Sequence, residues 1–234
     1  MEFLWEAIVQ ALRLVAAGDR ELLEVTVLSL QLSTAATLFA SLLGVPLGFA
    51  LAATRFRGRR LLLTMVNSLL GLPTVVIGLL GFAFLSRQGP LGAWGLLFTP
   101  TAIVLGGTVL SLPIIAALTA SAVMGLDARV RDTALTLGAG RWAAVATLLA
   151  EARFAVMAAL ITGYGRLISE VGVSMILGGN IRGYTRTLTT AIALETSKGD
   201  FAFAMALGIL LMAIVFSLNL LLGRLQGEGR GRRG

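Results

Sequence analysis

The sequence predicts an all-α, polytopic membrane protein with about five transmembrane helices. An amphipathic helix precedes them, and a further short helix lies on the cytoplasmic side between the third and fourth spans. Three observations carry that prediction. Of 234 residues, 57% are hydrophobic and only 13% are charged, about half the charged share of an ordinary soluble domain. Mean hydropathy is +0.90, more apolar surface than a soluble chain of this length can bury, so lipid must be the solvent. The basic residues gather at the ends of apolar runs, and this also explains the formal net charge of +7. Such a charge pattern marks membrane orientation and gives no reason to expect nucleic-acid binding.

The elements follow in order. Residues 1–20 form the N-terminal amphipathic segment. Phe3, Leu4, Ala7, Ile8, Ala11, Leu12 and Val15 recur at helical spacing, with Glu2, Glu6, Gln10 and Arg13 elsewhere on the wheel. That pattern predicts a helix lying at the membrane surface. Glu2 and Glu6 stand where a signal peptide carries basic residues, so the segment does not read as one.

Residues 21–223 form the transmembrane region, with five apolar runs at about 22–53, 61–86, 100–124, 144–168 and 201–223. Each is long enough to cross ~30 Å of hydrocarbon at ~1.5 Å per residue. The first is longer than needed, and Gly44, Pro46 and Gly48 predict a bend in it. Its Ser29, Ser33, Thr37, Ser41, Gly44 and Gly48 recur at three- and four-residue steps, a stripe of small residues that predicts a helix-packing face. The second run contains Gly71, Pro73, Gly78 and Gly81. The third opens at Pro100 and contains Gly106, Gly107 and Pro113. Backbone groups freed by such prolines must pair with neighbouring helices or line a wet cavity. Residues 224–234 form a basic, glycine-rich tail suited to lipid headgroups.

Orientation comes from the basic residues. Eleven fall in the 54–60 link, the 125–143 link and the tail. Six, namely Arg13, Arg20, Arg87, Arg182, Arg186 and Lys198, are spread over the opposite side. The first group is therefore expected in the cytoplasm, with the N-terminus outside and the C-terminus inside.

Two segments are too distinctive for plain connections. The link at about 126–143 reads as a helix over 127–137 with Asp127 as N-cap, a glycine stop at Gly138 and a second helix from near Gly140. On pattern alone, a docking helix and a simple hairpin are equally good readings. The stretch 163–200 is too polar for a simple span and too apolar for a loop. Gly178, Gly179 and Gly183 interrupt it around Asn180, which predicts a broken helix exposing backbone groups within the membrane. Arg166 and Glu170 stand four residues apart near the end of the fourth run. They fit either an ion pair that locks packing or an element of a pathway or gate.

Resemblance decides the first segment. Asp132-Thr-Ala134-x3-Gly138-Ala139 resembles the E-A-A-x3-G loop of ABC-transporter permease subunits, with Asp132 in place of the usual Glu and Glu151 where a closing Pro is expected. The resemblance implies that the link is a cytoplasmic coupling helix in which Arg131, Asp132, Ala134, Leu137, Gly138 and Ala139 meet an ATP-hydrolysing subunit. The stretch from Glu170 through Gly172, Leu177, Gly179, Asn180, Ile181, Gly183, Thr185 and Thr187 is similar to G-E-x-G-x(4)-L-x-G-N-I-x-G-x-T-x-T of oxyanion-importer permeases. That group carries molybdate, tungstate and sulfate. The runs EARF at 151–154 and TTAIALETSKGDF at 189–201 look most like its tungstate-type branch.

Arg166, Glu170, Asn180, Thr185, Arg186 and Thr187 are the candidates for a pathway or gate, and Arg182 and Arg186 are expected near the outer mouth, where they could attract an oxyanion or equally be solvated anchors. The resemblance also implies a prokaryotic inner membrane and a homodimer with two ATP-binding subunits. An extracellular or periplasmic oxyanion-binding protein would deliver the cargo.

Absences restrict the chemistry. With no Cys and no His, there are no disulfides, thiolate metal sites or Ser-His-Asp triads. No G-x4-G-K-[ST] phosphate loop is present, and the only lysine is Lys198. The chain is therefore expected to carry no cofactor of its own, with ATP and Mg on the partner. An intramembrane enzyme lacks its HExxH or paired aspartates. An autonomous channel or secondary transporter is the remaining rival, and it would not need an ATP-binding partner.

Overall fold

A computed structural model of the chain describes residues 2–54, 56–127, 136 and 140–231. Among the described residues there are nine α-helices and no strand: α1 (Glu2–Ala17), α2 (Arg20–Ala53), α3 (Arg59–Leu69), α4 (Thr74–Leu85), α5 (Pro100–Met124), α6 (Arg141–Ile168), α7 (Gly172–Gly178), α8 (Leu188–Lys198) and α9 (Phe201–Gly231). Four stretches are long and apolar enough to cross a membrane, at Arg20–Ala53, Pro100–Met124, Val145–Ile168 and Phe201–Arg224. The pair α3 and α4 makes a fifth if taken as one broken span, bent by 98°.

Four of the five apolar runs are thus single helices, and the second is not. Leu70 to Pro73 interrupts it. Proline has no N–H for the helical ladder and disfavours helical backbone in the residue before it, so Pro73 becomes the N-cap of α4.

The bundle is organised around α5, of whose apolar window 61% is buried, against 17% for α6 and α9. Thr99 starts α5 by accepting the Ala102 N–H, with Pro100 in the first turn, where its missing N–H costs nothing. The long helix α2 packs along α5. Ser29, Ser33, Thr37, Gly44 and Gly48 are all buried on α2, so the stripe of small residues is the packing face. A Cβ on Gly48 would lie 2.3 Å from the Ala116 carbonyl oxygen. The bend expected at Gly44–Gly48 is not a break: α2 runs uninterrupted through Pro46, and these glycines allow α5 to approach.

Arg59 caps the far end of α2, donating from Nε to the Leu51 carbonyl at 2.6 Å and from Nη2 to Ala52 at 3.3 Å. These are among the last helical carbonyls, which have no partner within the helix. At the other end, Asp19 accepts the Leu22 N–H at 3.1 Å. The helix α1 packs on α9. Its Ala11 joins Leu22, Val25, Leu188, Ala191, Ala206 and Leu207 in a second apolar cluster. Amphipathic α1 therefore buries one stripe against protein, while Trp5 and Leu12 stay exposed. The outer faces of α4 and α9, including Leu79, Val75, Met212 and Phe216, are exposed and apolar, as expected of surfaces that meet lipid or other membrane helices.

Candidate functional site: two helix breaks and a hydroxyl-linked segment

The fourth apolar run ends inside the bundle. After Ile168, residues 169–171 leave the helix and α7 continues for seven residues. This break lies beside the other one. A Cβ on Gly172 would come within 3.0 Å of Thr74 Oγ1 and 3.2 Å of the Val75 nitrogen, at the start of α4. From there α7 runs alongside α4 and α5, with Val173 and Leu177 against Gly106. Leu70 to Pro73 of that other break are exposed on the bundle surface, whereas the break after α6 places the buried Glu170, the start of α7 and irregular backbone within the apolar bundle. In a membrane protein such backbone persists only where protein or a wet cavity satisfies it.

Glu170 supplies much of that satisfaction. It is 5% exposed. Its Oε1 accepts the Val173 N–H at 3.1 Å, and its carbonyl accepts the Thr189 hydroxyl at 2.7 Å. It therefore caps α7 and ties α7 to α8. A cavity of about 20 Å³ adjoins it, lined in part by Ser29, Ser33, Gly107, Ser174 and Thr189, enough for about one water. Arg166 does not share this position. It is exposed, and no ion pair joins it to Glu170. The reason is local: α6 stops at Ile168, so the four-residue helical spacing is lost before Glu170 is reached.

Beyond α7 the chain turns tightly. Gly179 caps α7 with φ of 69°, and Asn180 follows at φ of 53°, a left-handed conformation that Asn adopts more readily than most residues. The Phe98 N–H donates to the Leu177 carbonyl at 2.8 Å, and its ring packs edge-on against Phe82 at 6.3 Å. Thr185 is fully buried. Its hydroxyl donates to the Gly178 carbonyl at 2.6 Å and accepts the Ile181 N–H at 2.9 Å, so one side chain closes the turn. Asn180 Nδ2 donates to the Thr190 carbonyl at 3.2 Å, while its Oδ1 is buried without a partner.

Thr187 and Thr190 form a reciprocal capping box at the start of α8. The Leu188 N–H is taken by Ser29 Oγ of α2 at 2.7 Å, and Ser29 in turn donates to Val25.

Arg186 is 9% exposed. Its Nη1 donates to Glu21 Oε1 at 3.1 Å and lies 3.8 Å from Glu195 Oε1. Arg182 donates to the other oxygen of Glu21, and Lys198 pairs with Glu195 at 2.9 Å. This ion cluster sits at the start of α2, a helix of 34 residues. It is therefore about 50 Å along that helix from the arginine-rich 54–60 link.

The structure thus brings Glu170, Asn180, Thr185, Arg186 and Thr187 into one linked segment and leaves Arg166 outside it. Glu21, Ser29, Thr189 and Glu195 belong to the same network. Sequence reasoning saw Ser29 only as a small packing residue. It missed both carboxylates, because only burial makes Arg186 a charge that requires a partner, and the sequence does not show that burial. Arg131, Asp132, Ala134, Leu137, Gly138 and Ala139 lie outside the described residues.

Comparisons with known proteins agree with this architecture. The chain is 39% identical over 227 residues to a probable anion ABC transporter permease protein of Haloferax volcanii, covering 94% of this chain and 98% of the relative. It is 36% identical over 228 residues to the tungstate uptake system permease protein TupB of Peptoclostridium acidaminophilum, covering 97% and 100%. The molybdenum transport system permease protein ModB of Escherichia coli K12 is 28% identical over 221 residues, covering 89% and 96%. Residues 44–227 match the family described as binding-protein-dependent transport system inner membrane component. With most of its length inside that match and relatives aligned nearly end to end, the chain belongs to the binding-protein-dependent transport system inner membrane components, as a membrane-embedded permease and not an enzyme.

Proposed function

We propose that this permease forms the translocation pathway for an oxyanion, tungstate first, driven by ATP hydrolysis on a separate subunit. The carrying observation is the nearly full-length similarity to a tungstate uptake permease at 36% identity. The helix break around the buried Glu170, beside the start of α4, supports it, because irregular backbone inside a membrane bundle suits a passage for a hydrated anion. A permease of this family works with ATP-binding and substrate-binding partners. The finer assembly we propose is two copies of this chain around a two-fold axis with two ATP-binding subunits holding ATP and Mg. An external binding protein delivers the anion. The N-terminus lies outside and the C-terminus in the cytoplasm of a prokaryotic inner membrane.

In this reading the 126–143 link docks into the ATP-binding subunit through Arg131, Asp132, Ala134, Leu137, Gly138 and Ala139. Closure of the ATP-binding subunits opens the pathway outward, and hydrolysis resets it. Glu170, Asn180, Thr185, Arg186 and Thr187 form the gate region, and Arg166 faces the passage.

Reconstitution tests this directly. Proteoliposomes holding the permease, its ATP-binding subunit and its binding protein are expected to take up tungstate only with internal ATP. Uptake without the ATP-binding subunit would establish the autonomous-channel reading instead. A molybdate or sulfate permease is the second reading, favoured by the 28% identity to a molybdenum permease; competition among the three anions ranks them. For coupling, Gly138→Val is expected to leave the permease in the membrane while abolishing substrate-stimulated ATP hydrolysis. Asp132→Ala is expected to weaken that hydrolysis. Wild-type uptake by Gly138→Val would reduce the link to a hairpin.

A further inference from the structure

The ion cluster at the start of α2 has the composition of an anion site that is already filled. Two arginines from the turn before α8 converge on one carboxylate: Arg186 takes Glu21 Oε1 at 3.1 Å, and Arg182 takes Oε2. Paired guanidinium donors on two oxygens are how proteins hold carboxylates, phosphates and similar oxyanions. Glu21 also lies in the first turn of α2, where unpaired N–H groups favour negative charge.

A second observation shows that the carboxylate does not use all that is offered. Arg186 Nε is buried and has no hydrogen-bond partner, although its own side chain is only 10% exposed. Glu21 and Glu195 both lie on the Nη1 side of the guanidinium, whereas this N–H opens on the Nη2 edge, so neither carboxylate meets it. Charge points the same way. Arg182, Arg186 and Lys198 face Glu21 and Glu195, three cations against two carboxylates. The mouth is accessible, since the side chains of Arg182 and Glu21 are 70% and 25% exposed.

We propose that Glu21 is an internal stand-in for the transported anion: its carboxylate occupies an Arg182–Arg186 subsite, and a tetrahedral oxyanion binds there by displacing it. The subsite deepens the transport reading above by giving the entering anion a first landing point within this chain. Displacement keeps the site weak, as transport requires. The anion must compete with a tethered carboxylate, and the same carboxylate returns when the anion moves on. A deep arginine pair without Glu21 would retain its cargo.

The test uses the permease with its ATP-binding subunit in phosphatidylcholine nanodiscs, without the binding protein. Equilibrium dialysis measures bound tungstate, and sulfate in parallel. Glu21→Gln keeps the shape and removes the competing charge, so anion affinity is expected to rise at least tenfold over wild type. Glu21→Gln combined with Arg186→Gln is expected to lose that gain. Glu24→Gln, which breaks the exposed pair with Arg20, is expected to change nothing and controls for net charge.

No gain in a well-folded Glu21→Gln complex would overturn the proposal, as would a gain that survives loss of Arg186. Replacing phosphatidylcholine by phosphatidylglycerol is expected to leave the gain intact; its disappearance would assign the arginines to lipid phosphate and also sink the subsite. The two readings fail separately. A gain for sulfate but not tungstate leaves the subsite standing and removes the tungstate assignment. ATP-driven tungstate uptake with no anion gain leaves transport standing and removes the subsite.

Discussion

The α2–α5 seam and the segment from Glu170 to Lys198 solve opposite problems with the same residue types. Along the seam, small residues let two unbroken helices come so close that backbone meets backbone, as at Gly48 and the Ala116 carbonyl. Apart from the helical bonds that Pro46 and Pro113 cannot donate, each helix satisfies its own peptide groups, and dispersion contacts hold the pair together. In the later segment the helices are short and their ends fall inside the bundle. The hydrogen bonds must then come from side chains: Glu170, Thr185, Thr187 and Ser29 each take a backbone N–H. A region held by packing cannot change spacing without losing contacts everywhere. The later segment is packed as well, with Val173, Leu177, Leu188 and Ala191 in the apolar clusters, but its side-chain hydrogen bonds can be exchanged one at a time. That difference recommends the second region, and not the first, as the part of this permease that moves.

The largest expected effect tests the rigidity of the seam. Gly48→Leu places a Cβ where only 2.3 Å separates it from the Ala116 oxygen, so α2 and α5 must part. Overpacking a core typically costs about 1–3 kcal/mol; against a backbone atom that cannot rotate away, the upper end or beyond is expected. Folded yield after detergent extraction should collapse. Gly208→Ala in α9, where nothing lies within 4 Å of the new Cβ, should extract normally. Equal yields from the two would show that the seam is not the rigid part.

Next comes the cap on α7. Glu170→Leu keeps the bulk but strands the buried Val173 N–H, at an expected cost of about 1–3 kcal/mol. Glu170→Gln keeps an acceptor oxygen and is expected to be the milder change. Thermal unfolding of the two variants separates an acceptor role from a charge role: if Gln is as damaging as Leu, the charge itself is what the site requires.

Most of the long helices were legible because a membrane span needs only apolar length, and length is written in order along the chain. Breaks were legible where glycines cluster, as at Gly178–Gly183. The break at Gly71–Pro73 was harder, since hydropathy is continuous across it. Glycine also carries two meanings that sequence cannot separate. Gly44 and Gly48 read both as a bend and as part of a packing face, and the close approach to α5 bears out the packing face. The ion cluster was half legible. Arg186 stood out as a charge at the outer mouth, but its carboxylate lies 165 residues away, and no local spacing points to it. The Arg166–Glu170 spacing pointed to a pair that the end of α6 removes.

Ser29→Ala is expected to have a smaller effect. It leaves the seam's small-residue character intact, so packing along α5 is unchanged, but the Leu188 N–H loses its acceptor. The neighbouring capping box still holds Thr190. A loss of about 1 kcal/mol is expected, seen as faster amide exchange in the first turn of α8. Unchanged exchange there would mean that the link between the two regions carries no load.

The smallest structural effect is expected at Arg166, and for that reason it is the sharpest test of where function lies. Had it paired with Glu170, Arg166→Ala would strand a buried carboxylate at a cost of several kcal/mol. The side chain is exposed instead, and Glu170 already has the Val173 N–H. Removing an exposed cation that supports no packing typically shifts stability by no more than about 0.5 kcal/mol. Folded yield and melting temperature of Arg166→Ala should therefore match wild type. Uptake measured on the same preparations then has one meaning. If transport per folded complex falls and Arg166→Lys restores part of it, the positive charge serves the passage of an anion. If transport is normal, Arg166 faces lipid or solvent, and the gate lies wholly in the hydroxyl-linked segment. A collapse of yield would revive the ion pair and place Arg166 with the static half of the molecule.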